Sequence, residues 1–193
     1  MSTLKVDTIL KRTGTGTITL GQSGDTLDIP SGVTIANSGT ATGFGGDNTP
    51  SFSAFLSSNQ TISNETYTKV QFNTENYDTD NAYDNSSNYR FTIPSGEGGN
   101  YFISSNLRFQ SFSGGEIRLV VRVNGVDKGY FSTDVASNIF TVTSANFIKN
   151  FSASDYIEIF AWQNSGGNLY VQGASAEYLL STFSAMRVIT WVI

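Results

Sequence analysis

From residue 50 onward, apolar and polar positions alternate in short runs broken by Gly, Asn, Asp, Ser and Pro. Ten such runs follow one another: 52–56, 67–73, 89–93, 101–112, 116–124, 129–133, 139–149, 155–163, 168–172 and 179–193. A period of two over strand-length windows, with turn residues at near-regular intervals, predicts an all-β sandwich or barrel. No stretch holds a helical period for long. The sharpest local signal is Asn124-Gly125 between two alternating runs, which predicts a hairpin closed by a type I′ turn. In the run before it, Ile117, Leu119, Val121 and Val123 share one face, while Glu116, Arg118 and Arg122 share the other. That strand has a wet side.

Two runs lack one. In 155–163, Ile157, Ile159 and Ala161 lie on one face, yet Tyr156, Glu158, Phe160 and Trp162 on the other are largely apolar too. In 179–193, Phe183, Ala185, Ile189, Trp191 and Ile193 face one way, and Leu180, Met186, Val188 and Val192 the other. A sandwich buries one face of each strand, so the second face needs a cover. A neighbouring subunit is the simplest cover, and the residues expected at that contact are Tyr156, Phe160, Trp162, Phe183 and Trp191. The alternative is cover from within the chain, by a loop or by the amino-terminal segment.

The first 42 residues read differently. Thr/Gly/Ile alternation over 13–20, then 24–30 and 31–35, predicts short strands separated by Gly and Pro. Their apolar residues, Ile18, Leu20, Leu27, Ile29, Val33 and Ile35, are too few to close a core. Such a segment must be buried by sister chains or by a docking partner. A Gly-rich joint at 41–48 follows, so the expected organisation is a β-rich anchor or shaft over 1–46 and a head domain over 47–193.

Composition narrows the function. The chain has 193 residues, 13% aromatic and only 14% charged, so its surface must be covered by Ser, Thr, Asn and Gly or hidden against copies of itself. A net charge of −5, with the 11 basic residues scattered, argues against nucleic acid and anionic membranes as partners. With no His and no Cys, the commonest general base, the thiolate nucleophile and the soft metal ligands are all missing. No phosphate-binding loop or dinucleotide fingerprint is present, so no enzyme and no cofactor is expected. The start, 1–10, has no apolar run of signal-peptide length, and no run is long enough to span a bilayer, so membrane insertion is not expected either. Asp78, Asp80 and Asp84 could offer hard oxygens to calcium, but Ala82 and Tyr83 break the calcium-loop pattern, and the expected reading is an exposed polar loop without metal. Tyr77, Tyr83, Tyr130 and Tyr170 have rings suited to stacking on sugars, and would serve equally well in a core or an interface.

The order of these pieces resembles the globular heads of the complement-component and tumour-necrosis-factor-like superfamily. The matching residues are Phe52-Ser53-Ala54; Tyr67 through Phe72 before Asn76-Tyr77-Asp78; Tyr89 through Pro94, then Gly99-Asn100-Tyr101-Phe102; Val123-Asn124-Gly125; Ser154-Asp155-Tyr156-Ile157, where the family usually has a Gly-Asp pair; and Phe183-Ser184-Ala185-Met186. The resemblance implies a ten-stranded jelly roll that forms homotrimers through an aromatic face, with the chain ends on one side. The segment from Ser2 to Leu10, with the Thr/Gly/Ile repeats after it, is similar to anchor and shaft modules of tailed-phage virion appendages, particularly those of marine cyanobacterial phages. That similarity implies a virion anchor at Leu4, Val6, Ile9, Ile18 and Leu20, engaging other virion proteins. The expected function is a structural appendage, either a tail fibre or a capsid decoration. It would be assembled in the host cytoplasm and exposed on the particle to cement it or to bind a host-surface glycan or protein. The alternative is a secreted or surface lectin-like module.

Overall fold

The computed structural model describes residues 9, 16–34, 36, 48–173 and 180–188. The chain divides into two compact units, Met1–Thr42 and Gly43–Ile193. In the first, the described residues form turns, bends and irregular segments but no strand. Asp25 N–H donates to the Gln22 carbonyl and Val33 N–H to that of Pro30, closing two turns. Ile9, Ile18, Leu20, Leu27, Ile29 and Val33 are all exposed, Leu27 at 67%. The short strands expected over 13–35 are thus absent among the described residues. Alternation supplies strand propensity, but a strand exists only against a partner, and the unit's described residues provide none. Leu4, Val6 and Ile35 lie outside the described residues.

The second unit is all-β, with thirteen strands among the described residues: β1 Ser51–Phe55, β2 Gln60–Ile62, β3 Thr68–Lys69, β4 Thr74–Asp78, β5 Tyr83–Asp84, β6 Arg90–Thr92, β7 Gly99–Phe112, β8 Glu116–Val123, β9 Val126–Asp134, β10 Ile139–Phe151, β11 Tyr156–Gln163, β12 Leu169–Val171 and β13 Thr182–Arg187. They build two antiparallel sheets. The first is ordered β2-β12-β7-β13-β1-β4, with β10 also paired to β7; the second is β5-β6-β11-β8-β9, with β3 also paired to β11. Thus β13 and β12 share one edge of the long β7, and β10 runs along the other. The ten strands expected have become thirteen because β2, β4 and β5 were not anticipated.

The hairpin joining β8 to β9 turns at Asn124 and Gly125, both at positive φ (52° and 75°), as a type I′ turn requires. Within that hairpin Val121 pairs with Gly129 but Arg122 with Asp127, so Lys128 is an extra residue that bulges β9.

Between the sheets lies one continuous apolar core. Its centre is a cluster of rings in which Phe52 stacks on Tyr83 at 4.6 Å and on Phe91 at 4.7 Å, with Phe183 edge-on at 4.9 Å. Each ring comes from a different strand, so this cluster ties β1, β5, β6 and β13 together across the sandwich. Tyr83 keeps its hydroxyl satisfied by donating to the Phe72 carbonyl at 3.0 Å, and burial raises its pKa far above the ordinary value.

Candidate functional site

Each sheet has an outer face, and the two faces differ in what covers them. On the second sheet, β11 and β8 run side by side, with Glu158 opposite Arg122, Phe160 opposite Val120 and Trp162 opposite Arg118. The aromatic face of one strand and the charged face of its neighbour are therefore a single surface. Cations from the neighbours lie on the rings: Arg122 is 3.8 Å from the Phe160 centroid, Arg118 is 4.1 Å from Trp162, and Arg90 is 4.4 Å from Tyr156. Lys69 reaches the other side of this strip, 5.9 Å from Phe160 and 2.5 Å from Glu158. Phe160 is 9% exposed as a result. Guanidinium groups are weakly hydrated and planar, so they can close over rings while their carbon stems cover apolar surface.

Carboxylates hold Lys69, Arg118 and Arg122 in place. Arg118 donates to both oxygens of Glu116, at 2.7 and 2.6 Å, and Arg122 pairs with Asp127. Asp127 also accepts from the Tyr130 hydroxyl at 2.7 Å. The Glu116 pKa is lowered chiefly by its hydrogen bond from Arg118. That of Asp127 is lowered first by Tyr130 and then by Arg122. Within one chain these side chains already supply much of the cover that this face needs, leaving Tyr156 and Trp162 half-buried.

Three of the expected contact residues, Tyr156, Phe160 and Trp162, are therefore brought together beneath the chain's own cations. Phe183 is corrected: its ring is fully buried in the core of a single chain and cannot meet a neighbour. Trp191 lies outside the described residues.

The outer face of the first sheet is arranged in rows across the strands. One row is apolar: Phe102 of β7 sits in register between Met186 of β13 and Ile148 of β10, which are 38% and 62% exposed. The next is polar, running Ser53, Ser184, Ser104, Asn146 in register. Ser184 donates to Ser53 at 3.1 Å, Asn76 to the same Ser53 oxygen at 3.1 Å, and Ser104 to Asn146 at 2.8 Å. A third row joins Thr182 to Asn106, whose amide donates to the Leu180 carbonyl at 2.7 Å. Beyond it Val142 pairs with Arg108, whose guanidinium lies 4.5 Å from the ring of Phe140. Phe140 and Val142 are about half exposed, at 52% and 49%.

Met186 lies on the second apolar face expected of 179–193, but the contribution of β10 was not anticipated. Its outward residues alternate with Thr141, Thr143 and Ala145, whose small side chains are the buried ones, so the apolar signal of β10 points outward.

The acidic loop closes on itself. Asp78 accepts from the amides of Asp80 and Tyr83, Asp80 from the Thr79 hydroxyl, and Asp84 from the amides of Ser86 and Ser87 and the side chain of Asn88. Those bonds, Ser87 first, hold the Asp84 carboxyl well below the usual range. Among the described residues no group of three or more acidic side chains converges as metal ligands would. Of the four tyrosines with rings suited to sugars, Tyr83 is core, while Tyr77, Tyr130 and Tyr170 are exposed.

Strand order defines an antiparallel two-sheet jelly roll. The chain is similar in structure to murine APRIL (TM-score 0.54, 10% identity, covering 72% of this chain and 98% of that one). It is likewise similar to the Eiger TNF of S. frugiperda (0.55, 9%, 73% and 93%). A third likeness is to the globular domain of zebrafish complement 1qA (0.50, 15%, 72% and 98%). At these identities the likeness is one of fold. No family model and no curated protein matches the sequence.

Proposed function

We propose that this chain is a non-enzymatic structural and binding protein that assembles as a homotrimer and serves as an appendage of a tailed-phage virion, either a tail fibre or a capsid decoration. The observation that carries the assembly is the outer face of the first sheet. Its apolar residues Ile148, Met186, Phe140 and Val142 are left exposed and Phe102 half-buried, while the polar rows between them already spend their hydrogen bonds on one another. Burying such a face removes apolar area from water without stranding polar groups. Arg108 is the one charged residue among the outward positions of the rows named, and charge depletion of this kind marks the centres of subunit contacts. Trimers follow from the resemblance of the head to the tumour-necrosis-factor and complement superfamily.

The anchor supports the same reading. Ile9, Ile18, Leu20, Leu27, Ile29 and Val33 are exposed within one chain, and sister chains or a virion partner would supply the missing strands. The virion setting rests on the similarity of the amino-terminal segment to phage anchor and shaft modules. Light scattering coupled to size exclusion tests the assembly: a mass three times the 20.9 kDa of one chain is expected, and a stable monomer overturns it. Quantitative mass spectrometry of particles tests the setting, since a few copies indicate a tail fibre, hundreds a capsid decoration, and none removes the virion role.

A further inference from the structure

The loop after β1, strand β2, the loop before β4 and Tyr89, which precedes β6, surround a cleft of about 260 Å³. Its walls include Asn59, Gln60, Thr61, Gln71, Asn73 and Tyr89, and no charged residue lines it. On a chain of net charge −5 that neutrality is selective: an ionic ligand would find no counter-charge here.

The amides of the cleft are set in advance. The Asn73 carbonyl oxygen accepts from the Ser57 amide at 3.0 Å, and that of Asn59 from the Gly173 amide at 3.1 Å. One lone pair of each side-chain oxygen is thereby engaged, which orients the amide and fixes where its NH2 donor lies. Gln60 is used on both ends, donating to the Lys69 carbonyl and accepting from the Gln71 amide, so it braces the wall. A side chain at Gly173 would collide with the backbone of Ser58, and this close approach seats the loop that carries Asn59.

The aromatic member is strained into place. Tyr89 has φ of 48°, in the left-handed region that a bulky side chain rarely adopts. The turn before it is fixed by the Asp84 carboxylate, which accepts from the amides of Ser86 and Ser87, and by Lys69, which donates to the Asn88 carbonyl at 3.1 Å. A residue held in an unfavourable conformation by its surroundings points to a role for its side chain.

We propose that this cleft is a binding site for a neutral saccharide. A pyranose has hydroxyl groups at its rim and C–H groups on its faces; oriented amide donors and a hydroxyl match the first, and the Tyr89 ring matches the second. This deepens the reading of the head as a surface-binding module by naming the class of ligand and the place where it sits.

The test is saturation-transfer NMR and titration calorimetry on the full chain with the methyl glycosides of glucose, galactose, mannose and N-acetylglucosamine. At least one glycoside is expected to bind. Tyr89→Gly removes the ring while suiting the left-handed backbone, and Asn73→Asp keeps the acceptor for Ser57 while removing the NH2 donor. Each should weaken binding about tenfold or more, with the melting temperature of Tyr89→Gly unchanged or raised. No binding by any of the four, or equal binding by both variants, overturns the site. Light scattering on the same samples keeps the two readings apart: a trimer that binds no sugar removes the site alone, and a monomer that binds sugar removes the trimer alone.

Discussion

The outer faces of the two sheets both carry aromatic side chains, yet one is largely closed and the other open. On the second sheet, Tyr156, Phe160 and Trp162 lie beneath Arg90, Arg122, Arg118 and Lys69, the last three held by Asp127, Glu116 and Glu158. On the first sheet, Phe140 has Arg108 over it, but Ile148, Val142 and Met186 remain exposed around a ladder of hydrogen-bonded Ser, Thr and Asn. Apolar surface alone does not mark a contact between molecules. What matters is whether the neighbouring strand carries long basic side chains or short hydroxylic ones.

The largest effect that could break this contrast is on assembly. Phe102→Asp combined with Ile148→Asp should reduce the mass in light scattering to the 20.9 kDa of one chain while far-UV circular dichroism keeps its β signature. Trp162→Ala on the other face should leave the mass unchanged; dissociation by that variant would reverse the assignment of the two faces. Next in size, Phe183→Ala should destabilise the fold by roughly 3–5 kcal/mol in urea unfolding, as loss of a fully buried ring does. Had Phe183 belonged to a subunit contact, the change would appear in the mass instead. Arg122→Gln should cost less, about 0.5–2 kcal/mol, by uncovering Phe160 and releasing Asp127.

The smallest expected effect is on pH dependence. Glu116 and Asp127 have lowered pKa values in the folded state, from ordinary values of 4.5 and 3.8, so their pairs favour folding above those values. That contribution is lost as pH falls through the lowered folded values. Urea midpoints measured down through the acid range should fall more steeply for the unaltered chain than for Arg118→Gln, in which Glu116 has lost its partner.

How much of this was legible in the sequence differs from element to element. The long alternating runs became β7, β8, β10 and β11, because a period of two with Val, Ile, Tyr and Phe has few other solutions. Strands β2 and β5 are three and two residues long, too short to show a period. Strand β4, Thr-Glu-Asn-Tyr-Asp, has a single apolar residue, Tyr77, and that ring is exposed. Phe183 was misplaced because 179–193 reads as one strand with two apolar faces, whereas β13 covers only Thr182–Arg187, where Thr182, Ser184 and Met186 turn outward and Phe183 and Ala185 inward. The arginine cover of β11 was missed for another reason: Glu116, Arg118 and Arg122 were assigned to water on their own strand, and only the pairing of β8 with β11 puts them over its rings. The cleft at Asn59, Gln71, Asn73 and Tyr89 draws on residues thirty positions apart, with no motif to announce it.

The bulge at Lys128 bears on how these molecules behave when crowded. Strand β9 ends the second sheet, and the outer row of amides and carbonyls on such a strand invites a strand from any other chain to zip onto it. The register break places a lysine where continuous pairing would have to pass, and twists the edge away from a flat template. Open-ended growth of one head onto another through this edge is thereby discouraged.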